Sequence, residues 1–222
     1  MLFEKTINTQ PHNWLIHEIY LKSLRKYESY INGTVIDIGC GQKPYKHIIN
    51  KWTSNYFGLE HLKTLHGFNE VDVVGSALQL PFQDSIADTV VSFQVMEHIP
   101  EPELYLKEIY RILKPSGNCL IMTPFMWGEH EAPYDFYRYT RYGLEYLSKK
   151  VGFKILNINP DTGFWVTTII RTNYFLTRFS GRILKYFILP VVWIDQFFAQ
   201  ILDKWLDKDR TETANFTTLL KK

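Results

Sequence analysis

The stretch VIDIGCGQKP, residues 35–44, joins an apolar run to a turn rich in glycine. Asp37 stands inside the apolar run, and Gly39 and Gly41 follow it within four positions. Glycines this close together indicate a backbone that turns sharply or lets another group approach closely. Because β-branched residues precede the turn, the stretch predicts a strand buried on both faces, with a carboxylate beside its end.

Apolar runs typical of strands alternate with stretches of helical spacing on both sides of this turn. Helices are predicted for residues 11–31, 44–52 and 103–114, and Thr140 caps another that Gly152 ends. The alternation favours an α/β fold with a doubly wound, mostly parallel sheet, which binds ligands at the carboxyl ends of its strands. The predicted strands are TVIDIG, NYFGLE, VDVVG, ADTVVSFQV, NCLIMTPF, FKILNINP and ANFTTLLKK, beginning at residues 34, 55, 71, 87, 118, 153 and 214.

Length and composition fit one domain over residues 1–222, with room for a buried core. The formal net charge of +2 gives no support for a nucleic-acid partner, which needs a concentrated basic face. Cys40 and Cys119 are too few for a disulfide framework and favour a reducing compartment. The amino terminus lacks the pattern of a secretion signal, so we expect a cytoplasmic protein.

An unusually aromatic segment interrupts the strand rhythm before the last strand. The best apolar window within it contains Lys185, Pro190 and Asp195, which disfavours a membrane-spanning helix. The residues leave open whether this insertion packs in the core, covers the substrate, forms a homodimer or touches a membrane surface. The domain then has four parts: an N-terminal helical segment (1–33), a cofactor-binding core (34–160), the aromatic helical insertion (163–210) and the last strand (214–222).

Two acids at neighbouring strand ends indicate a nucleoside ligand. Glu60 closes the second strand about twenty residues beyond Asp37, a spacing that suits a carboxylate binding two ribose hydroxyls. A dinucleotide site would carry a third glycine where Pro44 stands, and Asp37 would repel a pyrophosphate. The pocket therefore suits a nucleoside joined to a cationic amino-acid portion. Each acid also has a plainer interpretation, Asp37 as a helix cap and Glu60 as a solvated charge.

The motifs in their order resemble the class I S-adenosylmethionine-dependent methyltransferases, type 11 (small-molecule) branch. VIDIGCG resembles the first motif of that family, YFGLE resembles its second strand, and residues 73–125 are similar segment after segment. The resemblance covers about residues 34–160. It implies a Rossmann-like, seven-stranded sheet with an antiparallel last strand, and S-adenosyl-L-methionine as the cofactor.

The resemblance also assigns cofactor contacts by position. Ser76 departs from the family, which commonly has an aspartate there, so we expect a weaker grip on the adenine; a plain turn residue is the alternative. The implied contacts are Asp37 and Gly39 with the methionine portion, Gly41 with its backbone close to the cofactor, Glu60 with the ribose, Leu62, Ser76 and Ala77 with the adenine, and Gln94 facing the sulfonium through its backbone.

Two places could supply groups for the acceptor. His98 follows the fourth strand, as a general base or as a residue that ties the loop to the next helix. The loop at 128–144 follows the fifth strand and resembles methyltransferases of bacterial surface-glycan gene clusters. In it, His130 and Asp135 are base or orienting candidates, and an internal Asp135–Arg138 pair is the structural alternative. The predicted substrate-binding residues are Tyr134, Tyr137 and Arg138, and no metal ligand is predicted.

These observations predict methyl transfer from S-adenosylmethionine to a small-molecule or glycan-precursor acceptor, with oxygen favoured over nitrogen or carbon. A second hypothesis is a non-catalytic protein of the same fold that binds a membrane or another subunit through the insertion. A nucleotide-dependent oxidoreductase is disfavoured by the missing third glycine.

Overall fold

The computed structural model describes residues 14–65, 67–179 and 182–222; residues 11–13 of the first predicted helix lie outside them. The helices are α1 (Trp14–Lys26), α2 (Lys46–Ile49), α3 (Pro102–Ile112), α4 (Arg141–Val151), α5 (Phe164–Phe179) and α6 (Arg182–Leu206), with 3₁₀ turns at Glu28–Tyr30 and Met96–His98. The strands are β1 (Thr34–Ile38), β2 (Asn55–Glu60), β3 (Val73–Val74), β4 (Ala87–Phe93), β5 (Leu113–Pro124), β6 (Lys154–Pro160) and β7 (Asn215–Lys221).

The strands form one seven-stranded sheet in the order β3-β2-β1-β4-β5-β7-β6. The pairs β2–β3, β1–β2, β1–β4 and β4–β5 are parallel. The chain winds outward in one direction from β1 and in the other from β4, so their shared edge is the point where strand order reverses. A crevice for a ligand opens beyond the carboxyl ends of the strands at such a point.

The last strand runs against its neighbours, as the resemblance implies. Lys222, just beyond the end of β7, exchanges backbone hydrogen bonds with Ser116 and Gly117 near the start of β5 (3.2 and 3.0 Å). Phe216 near the start of β7 packs its ring against Phe125, just beyond β5, at 5.6 Å. The fold class predicted from the sequence, including the helical insertion before the last strand, is confirmed.

The chain divides into two compact units. The larger contains residues 26–125, 129–159 and 216–222, with a core of buried residues from the sheet and from α3 and α4. In the smaller, which includes residues 126–128 and 160–215, α1, α5 and α6 share an apolar cluster of Leu15, Ile16, Val166, Ile170 and Ala199. The single domain predicted for residues 1–222 stays a prediction.

Local capping signals place α4 as predicted. The Thr140 hydroxyl accepts a hydrogen bond from the Gly143 N–H at 3.0 Å, and Gly152 ends the helix with a φ of 107°. A residue without a side chain takes this left-handed conformation without steric cost, which explains the stop.

The helix predicted for 11–31 ends at Lys26 and is followed by the 3₁₀ turn at Glu28–Tyr30. Three further elements also differ clearly from their predicted bounds. The helix predicted for 44–52 has only four residues, Lys46–Ile49. After it the chain forms a turn, in which the N–H groups of Trp52 and Thr53 both donate to the Ile49 carbonyl. The strand predicted for 71–75 keeps only Val73 and Val74 as strand residues, although the N–H groups of Asp72 and Gly75 also donate to carbonyls of β2. α3 passes directly into β5, which begins at Leu113 and not at the predicted residue 118. The pairing of β5 with β4 shifts register between Ala87 and Thr89. Among the helices of the described residues, none is long and apolar enough to cross a membrane.

Candidate active site

Asp37 lies at the carboxyl end of β1 and is 4% exposed. Residues 35 and 37 share one face of the strand, and Tyr56 is the β2 partner of Val35, so the tyrosine reaches the carboxylate diagonally. The Tyr56 hydroxyl donates a hydrogen bond to Oδ2 of Asp37. Burial raises the pKa of Asp37 to about 7, although this bond and the Lys43 ammonium oppose the shift. A buried carboxylate of this kind is suited to a cationic ligand.

The glycine turn that follows Asp37 hydrogen-bonds Glu60, the second acid of the predicted site. Gly39 and Gly41 have φ values of 72° and 51°, a region that side chains disfavour. The Gly41 N–H donates to Oε2 of Glu60 at 2.8 Å, and the His61 N–H donates to Oε1 at 2.8 Å. Glu60 is 8% exposed. Each carboxylate oxygen can accept a further hydrogen bond, so Glu60 can still bind two hydroxyls.

A cation beneath the turn is a feature that sequence reasoning missed. Lys43 is 5% exposed, pairs with Asp72 and lies over the Tyr56 ring at 5.2 Å from its centroid. Asp72 also accepts the Gly58 N–H at 2.7 Å. Together these contacts hold the turn against β2. The pattern GCGQKP gives no local signal for them, because they depend on which strand lies beside the turn.

The predicted adenine contacts differ in their surroundings. Leu62 is 71% exposed, which leaves its side chain available to a flat ring. Ala77 packs against the core of the larger unit. The Ser76 hydroxyl accepts the Leu78 N–H at 3.2 Å, as expected of a turn residue. The contacts of these residues with a cofactor stay predictions.

Gln94 marks the point where β4 leaves the sheet. Its φ is 58°, and its N–H donates to the Met122 carbonyl at 2.9 Å. Gly39 meets the chain near this point, since a Cβ on it would lie 2.2 Å from Cγ2 of Val95. The turn after β1 and the exit of β4 are therefore in close contact.

A second group of polar residues follows β4, around a carboxylate that sequence reasoning left without a role. The Glu97 side chain is fully buried, and neither carboxylate oxygen accepts a hydrogen bond from another residue in the described part of the chain. Burial raises its pKa to about 8, while its own backbone N–H and the charge of Arg138 oppose the shift. Only the structure shows this isolation, because EHIPEP reads as a loop.

Two histidines converge on this carboxylate. Nε2 of His98 and Nε2 of His130 each lie 3.9 Å from Oε1 of Glu97. The two rings meet edge to face at 4.9 Å. Nδ1 of His98 donates to the Tyr134 carbonyl at 2.8 Å, which leaves Nε2 as an acceptor in the neutral ring. The structure thus brings together two of the three predicted base candidates, His98 and His130, from separate loops.

Asp135 and Arg138 form the internal pair that the sequence offered as the structural alternative. Both guanidinium nitrogens of Arg138 donate to Asp135 at 2.6 Å, and the pKa of Asp135 falls to about 2, chiefly through these bonds. Asp135 also accepts the His130 N–H at 2.8 Å and lies 3.4 Å from Nδ1 of His130. Among the predicted substrate contacts, Tyr134 is 53% exposed and the Tyr137 hydroxyl donates to the Pro100 carbonyl at 3.0 Å.

Known proteins similar to this chain include several methyltransferases. Residues 36–121 match the family model described as a methyltransferase domain. The sterol 24-C-methyltransferase erg6 of Schizosaccharomyces pombe is 25% identical over 229 aligned positions, covering 76% of this chain and 61% of that protein. The demethylmenaquinone methyltransferase of Anoxybacillus flavithermus is 26% identical over 141 positions, covering 55% and 60%. The chain thus spans less than two thirds of the length of these curated relatives.

Solved structures share the fold. A S-adenosylmethionine-dependent methyltransferase from Archaeoglobus fulgidus superposes with a TM-score of 0.61 at 17% identity, covering 92% of this chain and 94% of that one. The cyclase SpnF gives 0.62 at 17%, covering 94% and 82%. The matched segment resembles a methyltransferase domain, and the chain shares the fold of S-adenosylmethionine-dependent methyltransferases, whose cofactor is S-adenosylmethionine.

The residues present fit that cofactor. Asp37 offers a buried carboxylate for an ammonium group, and a cationic ligand would oppose the rise in its pKa that burial causes. Glu60 retains accepting capacity for two ribose hydroxyls beside a turn without side chains at positions 39 and 41. Leu62 offers an exposed apolar surface close to Glu60 in the chain.

Proposed function

We propose that this chain transfers a methyl group from S-adenosylmethionine to an oxygen of a small-molecule or glycan-precursor acceptor. The observation that carries the proposal is the link between the two acids, in which Gly41 hydrogen-bonds Glu60 while Asp37 lies buried at the neighbouring strand end. Asp37 would hold the methionine ammonium, and Glu60 would hold the ribose. The relatives named above act, by their names, on a sterol and on demethylmenaquinone, which supports a small-molecule acceptor.

Oxygen is the favoured acceptor atom because the site contains base candidates. A hydroxyl must lose its proton as it attacks, whereas an amine needs only to be unprotonated. His130 is oriented by Asp135, whose Oδ2 lies 3.4 Å from Nδ1, and its Nε2 is turned away from that pair. His98 is fixed through Nδ1 by the Tyr134 carbonyl.

In the reaction, Nε2 of His130 takes the proton of the acceptor hydroxyl as the oxygen bonds to the methyl carbon. The bound cofactor supplies a methyl group on a sulfonium, whose C–S electron pair leaves on sulfur to give S-adenosylhomocysteine. The chain's contribution is mostly to orient the acceptor and to exclude water. Arg138 would attract an anionic acceptor, although Asp135 already occupies it.

Mass spectrometry of metabolites and glycans from cells with and without the chain tests this function. The expected result is an acceptor that is one methyl group heavier in cells with the chain, and unmethylated in cells carrying Glu60→Gln. The purified chain should also bind S-adenosylmethionine and not NAD in titration calorimetry. Tight NAD binding without S-adenosylmethionine binding would overturn the proposal.

The non-catalytic alternative retains one supporting observation, an exposed apolar face on α6. Val191, Ile194, Phe198, Ile201 and Trp205 are each between 40% and 74% exposed. We propose that this face contacts a second copy of the chain, because its residues recur at spacings of three and four, the pattern of packed helices. In the non-catalytic alternative, Asp37→Asn would abolish cofactor binding without changing any methylated product.

A further inference from the structure

We infer that Glu97, His98 and His130 form a binding site for one divalent first-row transition-metal cation. One ligand atom from each of the three residues lies within 4.8 Å of the other two. Two imidazole nitrogens and a carboxylate oxygen suit Zn²⁺, Mn²⁺, Fe²⁺ or Co²⁺ and leave further positions open for other ligands. The sequence predicts no metal, because the two loops that supply these residues are more than thirty positions apart.

The isolation of Glu97 is the first reason to place a cation here. Its side chain has no exposed surface, and the described residues supply no hydrogen bond to its carboxylate oxygens beyond its own backbone. A buried carboxylate without a partner is costly unless it is neutralised or paired. Arg138 does not pair with it directly, since both guanidinium nitrogens are held by Asp135 at 2.6 Å. A divalent cation would be a partner for the ionised carboxylate.

The orientation of both histidines is the second reason. A histidine that binds a metal through Nε2 usually donates its Nδ1–H to a carbonyl or a carboxylate. His98 does so to the Tyr134 carbonyl at 2.8 Å. Nδ1 of His130 lies 3.4 Å from Oδ2 of Asp135 and 3.3 Å from a nitrogen of Arg138. The Arg138 nitrogen can only donate to an unprotonated Nδ1, whereas Asp135 can accept a proton from Nδ1; a cation on Nε2 selects the second arrangement.

The distances fit a site that tightens on binding. Ligand bonds of about 2.0–2.1 Å place tetrahedral ligand atoms about 3.3 Å apart. Each histidine Nε2 lies 3.9 Å from Oε1 of Glu97, so each pair has to close by about 0.6 Å. Glu131, whose Oε2 is also 3.9 Å from Nε2 of His98 and whose side chain is 37% exposed, could add a fourth ligand.

The site would place the cation where the proposed function needs the acceptor. Glu97, His98 and His130 would hold the cation, which would supply a Lewis acid for an acceptor hydroxyl, and the base role proposed for Nε2 of His130 would belong to the cation-free chain. This role rests on the proposed function, whereas the binding of the cation does not.

The test measures cation binding without measuring methyl transfer. The full chain is stripped with a chelator, dialysed, and titrated with Co²⁺ while its visible absorption is recorded; plasma mass spectrometry counts bound Co²⁺ and Zn²⁺. We expect about one cation per chain with a low-coordinate Co²⁺ spectrum. Glu97→Gln and the double change His98→Ala with His130→Ala should each weaken binding at least about tenfold, and Asp135→Asn about 10- to 100-fold.

Matched controls separate this site from adventitious binding. His47→Ala removes a histidine outside the cluster and should leave the Co²⁺ spectrum and stoichiometry unchanged. Every variant should still bind S-adenosylmethionine, which shows that it is folded. Equal Co²⁺ binding by the wild type and Glu97→Gln would overturn the inference, even if the double histidine variant failed to fold. Cation binding without methyl transfer would keep the site and defeat the proposed function.

Discussion

Asp37 is a buried carboxyl group at the predicted cofactor end of the site, and burial raises its pKa. In the unfolded chain its pKa is near 3.8, and in the folded chain burial raises it to about 7. Between these values the folded chain holds a proton that the unfolded chain has lost, so stability from this group falls as pH rises through the window. A cationic ligand beside the carboxylate favours its charged form and opposes that loss.

This linkage predicts that binding of S-adenosylmethionine releases a proton from Asp37 below pH 7. Because the free carboxyl is protonated there and the bound one is ionised, affinity should rise about tenfold per pH unit from pH 5 to 7 and then level off. Titration calorimetry in buffers of different ionisation enthalpy measures both the affinity and the protons released.

Two variants decide whether Asp37 is the titrating group. Asp37→Asn should bind weakly with little dependence on pH. Tyr56→Phe removes the hydrogen bond that favours the charged carboxylate, so the pH at which affinity levels off should move upward. An unchanged pH profile in Asp37→Asn would assign the proton to another group.

The site residues predicted from sequence alone are those whose expected role is encoded locally. Asp37 and Glu60 are recognisable because each stands at a strand end at the spacing of a nucleoside site. Tyr56 could not be found in this way, since its partner depends on the register of β2 against β1. Glu97 could not be found either, because its importance comes from complete burial without a hydrogen-bond partner.

At the scale of elements, local signals predict what local contacts determine. Thr140 and Gly152 place the ends of α4 through their own backbone geometry. The predicted strand at 71–75 keeps two strand residues, Val73 and Val74, whose extent depends on how they pair with β2. Where the bounds of an element depend on its neighbours, the bounds predicted from the sequence differ from those in the structure.

The turn after β1 makes a prediction about steric contact with the exit of β4. Gly39→Ala should destabilise the chain by several kcal/mol, because φ is 72° and the added Cβ would lie 2.2 Å from Cγ2 of Val95. Adding Val95→Ala should recover the steric part and leave a cost of about 1–2 kcal/mol for the left-handed backbone. A double-mutant cycle of thermal unfolding measures the coupling. Additive effects of the two changes would contradict the contact.

The start of α5 depends on a carboxylate from α6. Asp203 is 5% exposed and accepts the N–H groups of Gly163, Trp165 and Val166 at 2.7, 2.8 and 3.2 Å. Asp203→Ala leaves these donors without their acceptor and should cost about 2 kcal/mol, at the upper end for helix caps. Chemical denaturation followed by circular dichroism measures the loss.

Matched variants test the cap itself. Asp203→Asn keeps one accepting oxygen and should cost less than Asp203→Ala. Lys204→Ala changes an exposed neighbour on the same helix and should stay within about 0.5 kcal/mol of the wild type. If Asp203→Ala and Lys204→Ala lowered the free energy of unfolding equally, Asp203 would not stabilise the start of α5 as a cap.

At the scale of the whole molecule, an apolar face of α6 is exposed among the residues that the structure describes. The exposed residues of α6 continue into a groove of about 470 Å³ between α5 and α6, lined by Trp165, Ile169 and Phe198 among others. Burying such a face gains about 25 cal/mol per Å² of apolar surface, which favours association. The sequence pattern does not predict what covers this surface, because the covering residues can belong to another molecule.

The proposed contact with a second copy predicts that wild-type chain is a dimer by light scattering after size exclusion. Ile194→Gln combined with Trp205→Gln should shift it to monomer, because both side chains are exposed on the stripe. The monomeric variant should unfold at nearly the same temperature as monomeric wild type at high dilution. Substitutions at exposed positions usually change the free energy of unfolding by no more than about 0.5 kcal/mol. Lys204→Gln, on the same helix, should leave the dimer intact. A monomeric wild type that sediments with anionic phospholipid vesicles, while the double variant does not, would assign the face to a membrane surface instead.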